Sequence, residues 1–305
     1  MSPMNSGSVL TAGRSRRGKS SQLAIGALAV AILHSATQLF IPCPWSASRA
    51  SNDVMTDTDL RSDSVKRRSV LATLPAISGI WTGSDARVHA AGGKKVVVFG
   101  GSGFVGSRVT DMLIKEGYAV TSVSRSSQKD QIGRMQKFVG AAPGEVTYVQ
   151  LDASAADLNE NSLLAGADAV ISCVGIVPGG ENQLAGNGAV NVRIAKAAKA
   201  SGVPRFVYIS VASALSDGPG KFLFGDYMKG KAEAEAATLE QFGSANALVI
   251  KPAIIEGPGA PSGPPAPPWI RAVNVNAVAK AAIAGALGRQ SGIVDGSDAI
   301  EKAAR

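Results

Sequence analysis

Tyr227 and Lys231 lie four residues apart, a spacing that puts both side chains on one face of a helix, one turn from each other. A tyrosine so placed can give its phenolic proton to a developing alkoxide when a nearby ammonium lowers its pKa. The same lysine can bond the ribose of a nicotinamide nucleotide. Ser210 or Ser213, a few residues upstream, would then orient a carbonyl. The pattern also arises by chance, because Lys229 shares the segment and a tyrosine four residues before a lysine is common. Reductase chemistry and an incidental spacing both remain open on these residues alone.

A second group is more specific. Gly100, Gly103 and Gly106, in the run Gly100-Gly101-Ser102-Gly103-Phe104-Val105-Gly106, form a GxxGxxG turn that directly follows an apolar run and opens a helical pattern. Glycines there permit a tight turn, let the backbone approach a pyrophosphate and allow close helix packing, while free N–H groups, those of Phe104 and Val105 included, face the anion. An NAD-selective site usually places an acid at the end of the second strand to bind the ribose hydroxyls. Here that place reads Val123-Ser124-Arg125-Ser126. A guanidinium with hydroxyl neighbours suits a 2′-phosphate, so the expected cofactor is NADP(H), with NAD(H) as the alternative if Arg125 is a plain surface arginine. Asp152, after the third strand, and Val174-Gly175, after the fourth, are expected to border adenine and ribose.

These residues need a frame that brings them together, and the chain supplies an alternation. Nearly continuous apolar runs at 96–99, 119–123, 146–151, 169–174, 206–210 and 247–250 read as strands buried on both faces. Helical stretches fit between them: Val105, Val109 and Leu113 recur at four-residue intervals, and 187–201, 227–242 and 274–287 are rich in helix formers. The expected fold is a single α/β domain over 94–305, a doubly wound, mostly parallel Rossmann sheet. Residues 257–268 are so rich in Gly and Pro that they must be loop, which leaves a reduced C-terminal substrate region.

Charge and composition exclude several functions. The formal net charge is +8, but residues 1–90 hold ten Lys or Arg against five Asp or Glu, leaving 21 basic and 18 acidic residues beyond them. No basic run in the folded part suggests a nucleic-acid footprint. Both histidines, His34 and His89, and Cys43 fall before residue 91, so the rest of the chain holds Cys173 alone and no zinc cluster or metal site is expected.

The first residues read as an address. Arg14, Arg16, Arg17 and Lys19 precede an apolar run over 23–41 and small residues near 46–50, in the order of a signal peptide, so 1–50 is taken as a signal-peptide-like leader. A membrane anchor is the minority alternative. Arg67 and Arg68 before the apolar stretch 70–81 and the small-residue pattern Val88-His89-Ala90 resemble a twin-arginine export signal, so 51–93 is a transit or twin-arginine-like segment. Two addresses in series, with Phe40-Ile41-Pro42 near the junction, resemble presequences of complex plastids. The expected location is a plastid, in stroma or thylakoid lumen, with a mitochondrion as the alternative; the domain beyond it is not expected to span a membrane.

Taken together, these residues resemble the atypical and extended short-chain dehydrogenase/reductase superfamily. The matching pieces are the glycine turn from Val98 to Gly106, Gly202-Val203-Pro204-Arg205-Phe206-Val207-Tyr208-Ile209-Ser210, Tyr227 with Lys231, and Lys251-Pro252-Ala253-Ile254-Ile255-Glu256-Gly257. Within it the chain looks most like the plastid and mitochondrial branch near the 39-kDa-type accessory subunit of respiratory complex I and quinone-biosynthesis-associated proteins. The segment 187–200 and Val273-Asn274-Val275 carry that finer likeness. The resemblance implies a bound dinucleotide and two roles. One is an oxidoreductase acting on a carbonyl or quinone-type substrate. The other is a non-catalytic, cofactor-bound scaffold or assembly factor for a quinone-handling or photosynthetic membrane complex. Phe222, Leu223 and Phe224 either meet a prenyl tail or membrane surface or pack on their own domain.

Overall fold

A computed structural model describes residues 93–140, 144–158, 162–178, 180–217, 224–261 and 270–305. The leader, Phe222, Leu223 and most of the Pro-rich link lie outside the described residues. The elements in chain order are β1 (Lys95–Phe99), α1 (Gly106–Lys115), β2 (Ala119–Ser124), α2 (Gln128–Val139), β3 (Thr147–Gln150) and β4 (Ala169–Ser172). A π-helical turn (Ala185–Ala189) then leads into α3 (Val190–Ala200), followed by β5 (Phe206–Ile209) and, after one turn of helix at Ser213–Ser216, α4 (Gly225–Asn246). The chain closes with β6 (Ala247–Lys251), β7 (Ile255–Glu256), β8 (Val273–Asn274), α5 (Val275–Ala286), β9 (Gly292–Asp295) and α6 (Ser297–Ala303).

Seven strands form one sheet in the order β3-β2-β1-β4-β5-β6-β9, with every pairing parallel. Such a sheet buries both faces, and the alternation along β1 shows how. Val96 and Val98 join a core with Val109 and Leu113 of α1, the alanine-rich α5 and Ile300 of α6. Val97 and Phe99 face the opposite way, into a second core with Ile194, Ala195 and Ala198 of α3 and Ala234 and Phe242 of α4. The expected doubly wound α/β sheet is the observed one, in a single domain.

Strand order reverses between β1 and β4. Connections from β1 wind toward β2 and β3, those from β4 toward β5 and β6, so a crevice opens at the carboxyl ends of β1 and β4, where ligands bind in such sheets. Three local devices shape the elements around it. Ser127 caps α2 by accepting from the Asp130 amide at 3.2 Å, and Gly140 ends that helix in the left-handed region. Asn274 caps α5 by accepting from the Asn276 amide at 2.9 Å. On α4, Gly243 breaks the helical dihedrals and kinks the helix one turn before β6.

Candidate functional site

The glycine turn lies at the crevice, between the end of β1 and the start of α1. Gly100 adopts φ +74°, and a Cβ on it would stand 3.1 Å from the Cys173 carbonyl at the end of β4. A Cβ on Gly106 would lie 2.1 Å from the Gly100 oxygen, and one on Gly101 would lie 2.6 Å from Ser122 Oγ. Gly103 donates its amide to the Gly100 carbonyl at 2.9 Å and closes the turn. Only glycine fits at 100 and 106, which holds the backbone bare at the start of α1. Inside the turn, Ser102 is 1% exposed, and its Oγ has no partner among the described residues. A bare backbone cradle at a helix start with an orphaned hydroxyl inside it fits a dinucleotide pyrophosphate.

Phe104 and Val105 are half-buried at the helix start. Arg108, one turn into α1, donates to the Phe104 carbonyl at 2.7 Å and places its guanidinium over the rings of Phe104 and Phe138 at 4.9 and 5.2 Å. It also donates to the Pro258 carbonyl, so the turn is tied to the loop that follows β7.

At the end of β2, Ser124 is half-buried and Arg125 is exposed. A residue not anticipated from the sequence holds this corner. Gln131 is fully buried; its Nε2 donates to the Ser126 and Val149 carbonyls at 3.1 and 3.0 Å, and its Oε1 accepts from Ser122 Oγ at 3.0 Å. Asp152, exposed after β3, accepts from the amide and hydroxyl of Ser154 at 2.9 and 2.6 Å. These hydrogen bonds hold its carboxyl below the usual range, with the charge of Arg125 adding to them. Arg125 and Asp152 therefore face a common corner beside the glycine turn.

The exit from β4 joins this half of the site to the other. Val174 and Gly175 follow Cys173, which touches Gly100. A Cβ on Gly175 would lie 3.0 Å from Asn187 Oδ1 and 3.3 Å from Lys231 Nζ. Asn187, in the π-helical turn, accepts from the Ile176 amide at 3.1 Å and donates to the Ile176 and Gln183 carbonyls, both at 3.0 Å. Asn191 donates to the Val174 and Asn187 carbonyls at 3.3 and 2.9 Å. The two asparagines thus hold the 174–176 segment open against α4. Their four-residue spacing on the otherwise apolar buried face of α3 and the turn leading into it is the signal available for them.

Lys231 is buried, donates to the Ile209 carbonyl at 2.9 Å, and lies over the rings of Tyr208 and Tyr227 at 5.1 and 5.9 Å. Burial pushes its ammonium down to about 8, against the stabilising charge of Glu235 and a lesser one from a Cys173 thiolate. Tyr227 is half-buried, and burial pushes its phenol up to about 12. This corrects the expectation that the lysine would lower it: desolvation wins, and the group is a neutral proton carrier at neutral pH. The close approach of α4 is made by Gly230, where a Cβ would stand 2.8 Å from the Leu184 carbonyl and 2.9 Å from the Gly188 amide.

Ser210, 5% exposed at the end of β5, donates its hydroxyl to Glu235 of α4, and the other carboxylate oxygen of Glu235 accepts from Lys251 Nζ of β6 at 2.9 Å. Ser213 donates its amide to both oxygens of Asp295, at 3.2 and 3.3 Å, and its hydroxyl has no partner among the described residues. Also among the described residues, no cluster of His, Cys, Asp or Glu could hold a metal, and no helix is long and apolar enough to cross a membrane.

This sheet order, with a glycine turn at the reversal, is that of a Rossmann-type dinucleotide-binding domain. The chain belongs to the NAD(P)H-binding family, whose model matches residues 100–259. A chloroplastic protein of Arabidopsis thaliana, itself uncharacterized, is 34% identical over 180 residues, 59% of this chain. The match spans 57% of the length of that relative. Among solved structures, the Bordetella bronchiseptica enzyme WbmH in complex with NAD+ superposes with a TM-score of 0.54 at 20% identity, over 67% of this chain and 75% of that one. The UDP-glucuronic acid 4-epimerase of Bacillus cereus, in complex with UDP-glucuronic acid and NAD, gives 0.52 at 16%, over 67% and 77%. At these identities the likeness is one of fold.

Proposed function

We propose that this protein is an NADP(H)-dependent oxidoreductase of a plastid that reduces a carbonyl or quinone-type substrate. The observation that carries the reading is the continuous path of contacts from Gly100 through the β4 exit to Lys231 and Tyr227, along which a bound dinucleotide would meet Tyr227 as proton donor. Gly100, Gly103, Phe104, Val105 and Gly106 would hold the pyrophosphate. Ser124 and Arg125 would hold the 2′-phosphate, Asp152, Val174 and Gly175 would border the adenosine, and Lys231 would bond the nicotinamide ribose. A reduced nicotinamide, when bound, supplies hydride to an electrophilic carbon. The chain's part is to hold the carbonyl oxygen and protonate it: Tyr227 gives the proton, and Lys231 steadies the phenolate that forms. Ser213, whose hydroxyl has no partner among the described residues, would orient the oxygen, since Ser210 gives its proton to Glu235.

The plastid address rests on the two leader cassettes and on the chloroplastic name of the Arabidopsis relative. Ser210's commitment to Glu235 favours a second reading, a cofactor-bound scaffold or assembly factor for a quinone-handling or photosynthetic membrane complex. Fluorescence titration of the chain with NADPH and NADH tests the cofactor. Tight NADPH binding is expected, and Arg125→Ala should weaken it by about tenfold or more while leaving NADH affinity within about twofold. Equal loss for both nucleotides would overturn the assignment of Arg125. Turnover of quinones or aldehydes that survives in Tyr227→Phe would remove Tyr227 from the chemistry. Absence of turnover with every such acceptor, despite bound NADPH, would leave the scaffold reading.

A further inference from the structure

The half-buried charged group most distant from any assigned role is Glu235. Its carboxylate spans three elements: it rises from α4 one turn beyond Lys231, accepts from Ser210 at the end of β5, and accepts from Lys251 at the end of β6. Lys251 is 8% exposed and spends its ammonium on this one partner among the described residues. Two strand ends and one helix are therefore pinned through a single side chain, on the same face of α4 as Tyr227 and Lys231 and one turn farther along. A structural role alone would be met by a neutral hydrogen-bonding side chain, whereas here a half-buried carboxylate bonds the Lys251 ammonium and acts through its charge on that of Lys231.

We propose that Glu235 is a positioning residue of the candidate active site. Through Ser210 and Lys251 it anchors the Tyr227/Lys231 face of α4 to the strand ends and sets the charge which that face presents to substrate. The proposal rests on the reading of Tyr227 and Lys231 as the active pair. The groups around Lys231 are few: Cys173 from the β4 exit, Asn187 from the π-helical turn, Tyr208 and the Ile209 carbonyl from β5, and Tyr227 and Glu235 from α4. Those around Glu235 are Ser210, Tyr208, Lys251 and Lys231. Glu235 is thus the carboxylate in this set that opposes the burial of Lys231. Lys251 in turn offsets part of its charge.

The sign of two substitutions follows. Glu235→Gln removes the carboxylate and leaves Lys251 as an unopposed cation, so both changes push proton affinity at Lys231 down. Lys251→Met keeps the carboxylate and removes its competitor, so proton affinity at Lys231 goes up. The measurement is a carbon-13 NMR titration of the full chain labelled at lysine Cε, with the Lys231 resonance assigned by its loss in Lys231→Met. Relative to wild type, the Lys231 midpoint should fall by about one pH unit in Glu235→Gln and rise in Lys251→Met. Midpoints that stay put, or that move in the same direction in both variants, overturn the proposal. Should Glu235→Gln fail to fold, the double variant Glu235→Gln/Lys251→Met, which leaves no unopposed cation, carries the test: its Lys231 midpoint should lie below that of Lys251→Met, and equal midpoints overturn the proposal. NADPH titration of the same wild-type sample separates the two ideas. A chain that binds no dinucleotide but shows the paired shifts loses the oxidoreductase reading and keeps the Glu235–Lys231 coupling. A chain that binds NADPH without those shifts does the reverse.

Discussion

Tyr227 and Lys231 carry opposite consequences of burial. The phenol is held neutral, so Tyr227→Phe should leave dinucleotide affinity within about twofold while lowering turnover on any accepted substrate by about 100-fold or more, the usual worth of a positioned acid. The lysine is destabilising where it sits. Its ammonium falls from 10.5 to about 8 on folding, so between those values the unfolded chain binds more protons than the folded one, and stability tied to this group rises with pH. Below pH 8 the full penalty applies. Lys231→Met should therefore be the more stable protein at pH 7, by about 3 kcal/mol at most, with the difference shrinking toward pH 10. Urea unfolding of both proteins at the two pH values checks this. A constant difference would show that Lys231 does not titrate between them. The comparison is made in a Cys173→Ala background, because that thiol is coupled to Lys231, and it cancels Tyr227, whose raised value acts with the opposite sign at higher pH.

At the scale of elements, the two closest approaches are made by glycine. Gly106→Ala should destroy the turn, because the added methyl would meet the Gly100 carbonyl at 2.1 Å and backbone cannot move aside. NADPH binding should be lost in titration, even in material that retains its helical circular dichroism. Gly230→Ala drives a methyl into the Leu184 carbonyl and Gly188 amide, and a loss of about 1–3 kcal/mol in chemical denaturation is expected for such overpacking. The glycine turn could be read from the sequence because its glycines fall directly between an apolar run and a helical pattern, where a side chain at 100 or 106 has no room. The central strands could be read because they are buried on both faces and so almost purely apolar. Helix α2 could not, since Gln131 and Met135 are its only buried residues and one of them is polar. Strand β9 alternates half-buried and exposed positions, with Ile293 55% exposed on the sheet edge, and gives no apolar run. The Ser210–Glu235–Lys251 contact needs β5 and β6 to be neighbours under α4, which no local pattern states.

For the whole molecule, the site belongs to the sheet as a unit, so ligand and fold must be thermodynamically linked. NADPH at about 100 times its dissociation constant should add about 2.7 kcal/mol to unfolding free energy and raise the melting temperature, while Gly106→Ala should show no such gain. A wild-type melting curve indifferent to NADPH would mean that the crevice does not bind it. The pairing of β1 with β4 has one more consequence. The Lys95 amide meets Asp168 across 73 residues of chain, and Gly100 gains its opposite wall only when that contact forms. During synthesis the glycine turn leaves the ribosome well before its partner strand exists. The nucleotide pocket then has no half-built form: it appears when this long loop closes, a step that chain entropy makes slow, and ligand can reward only molecules that have completed it.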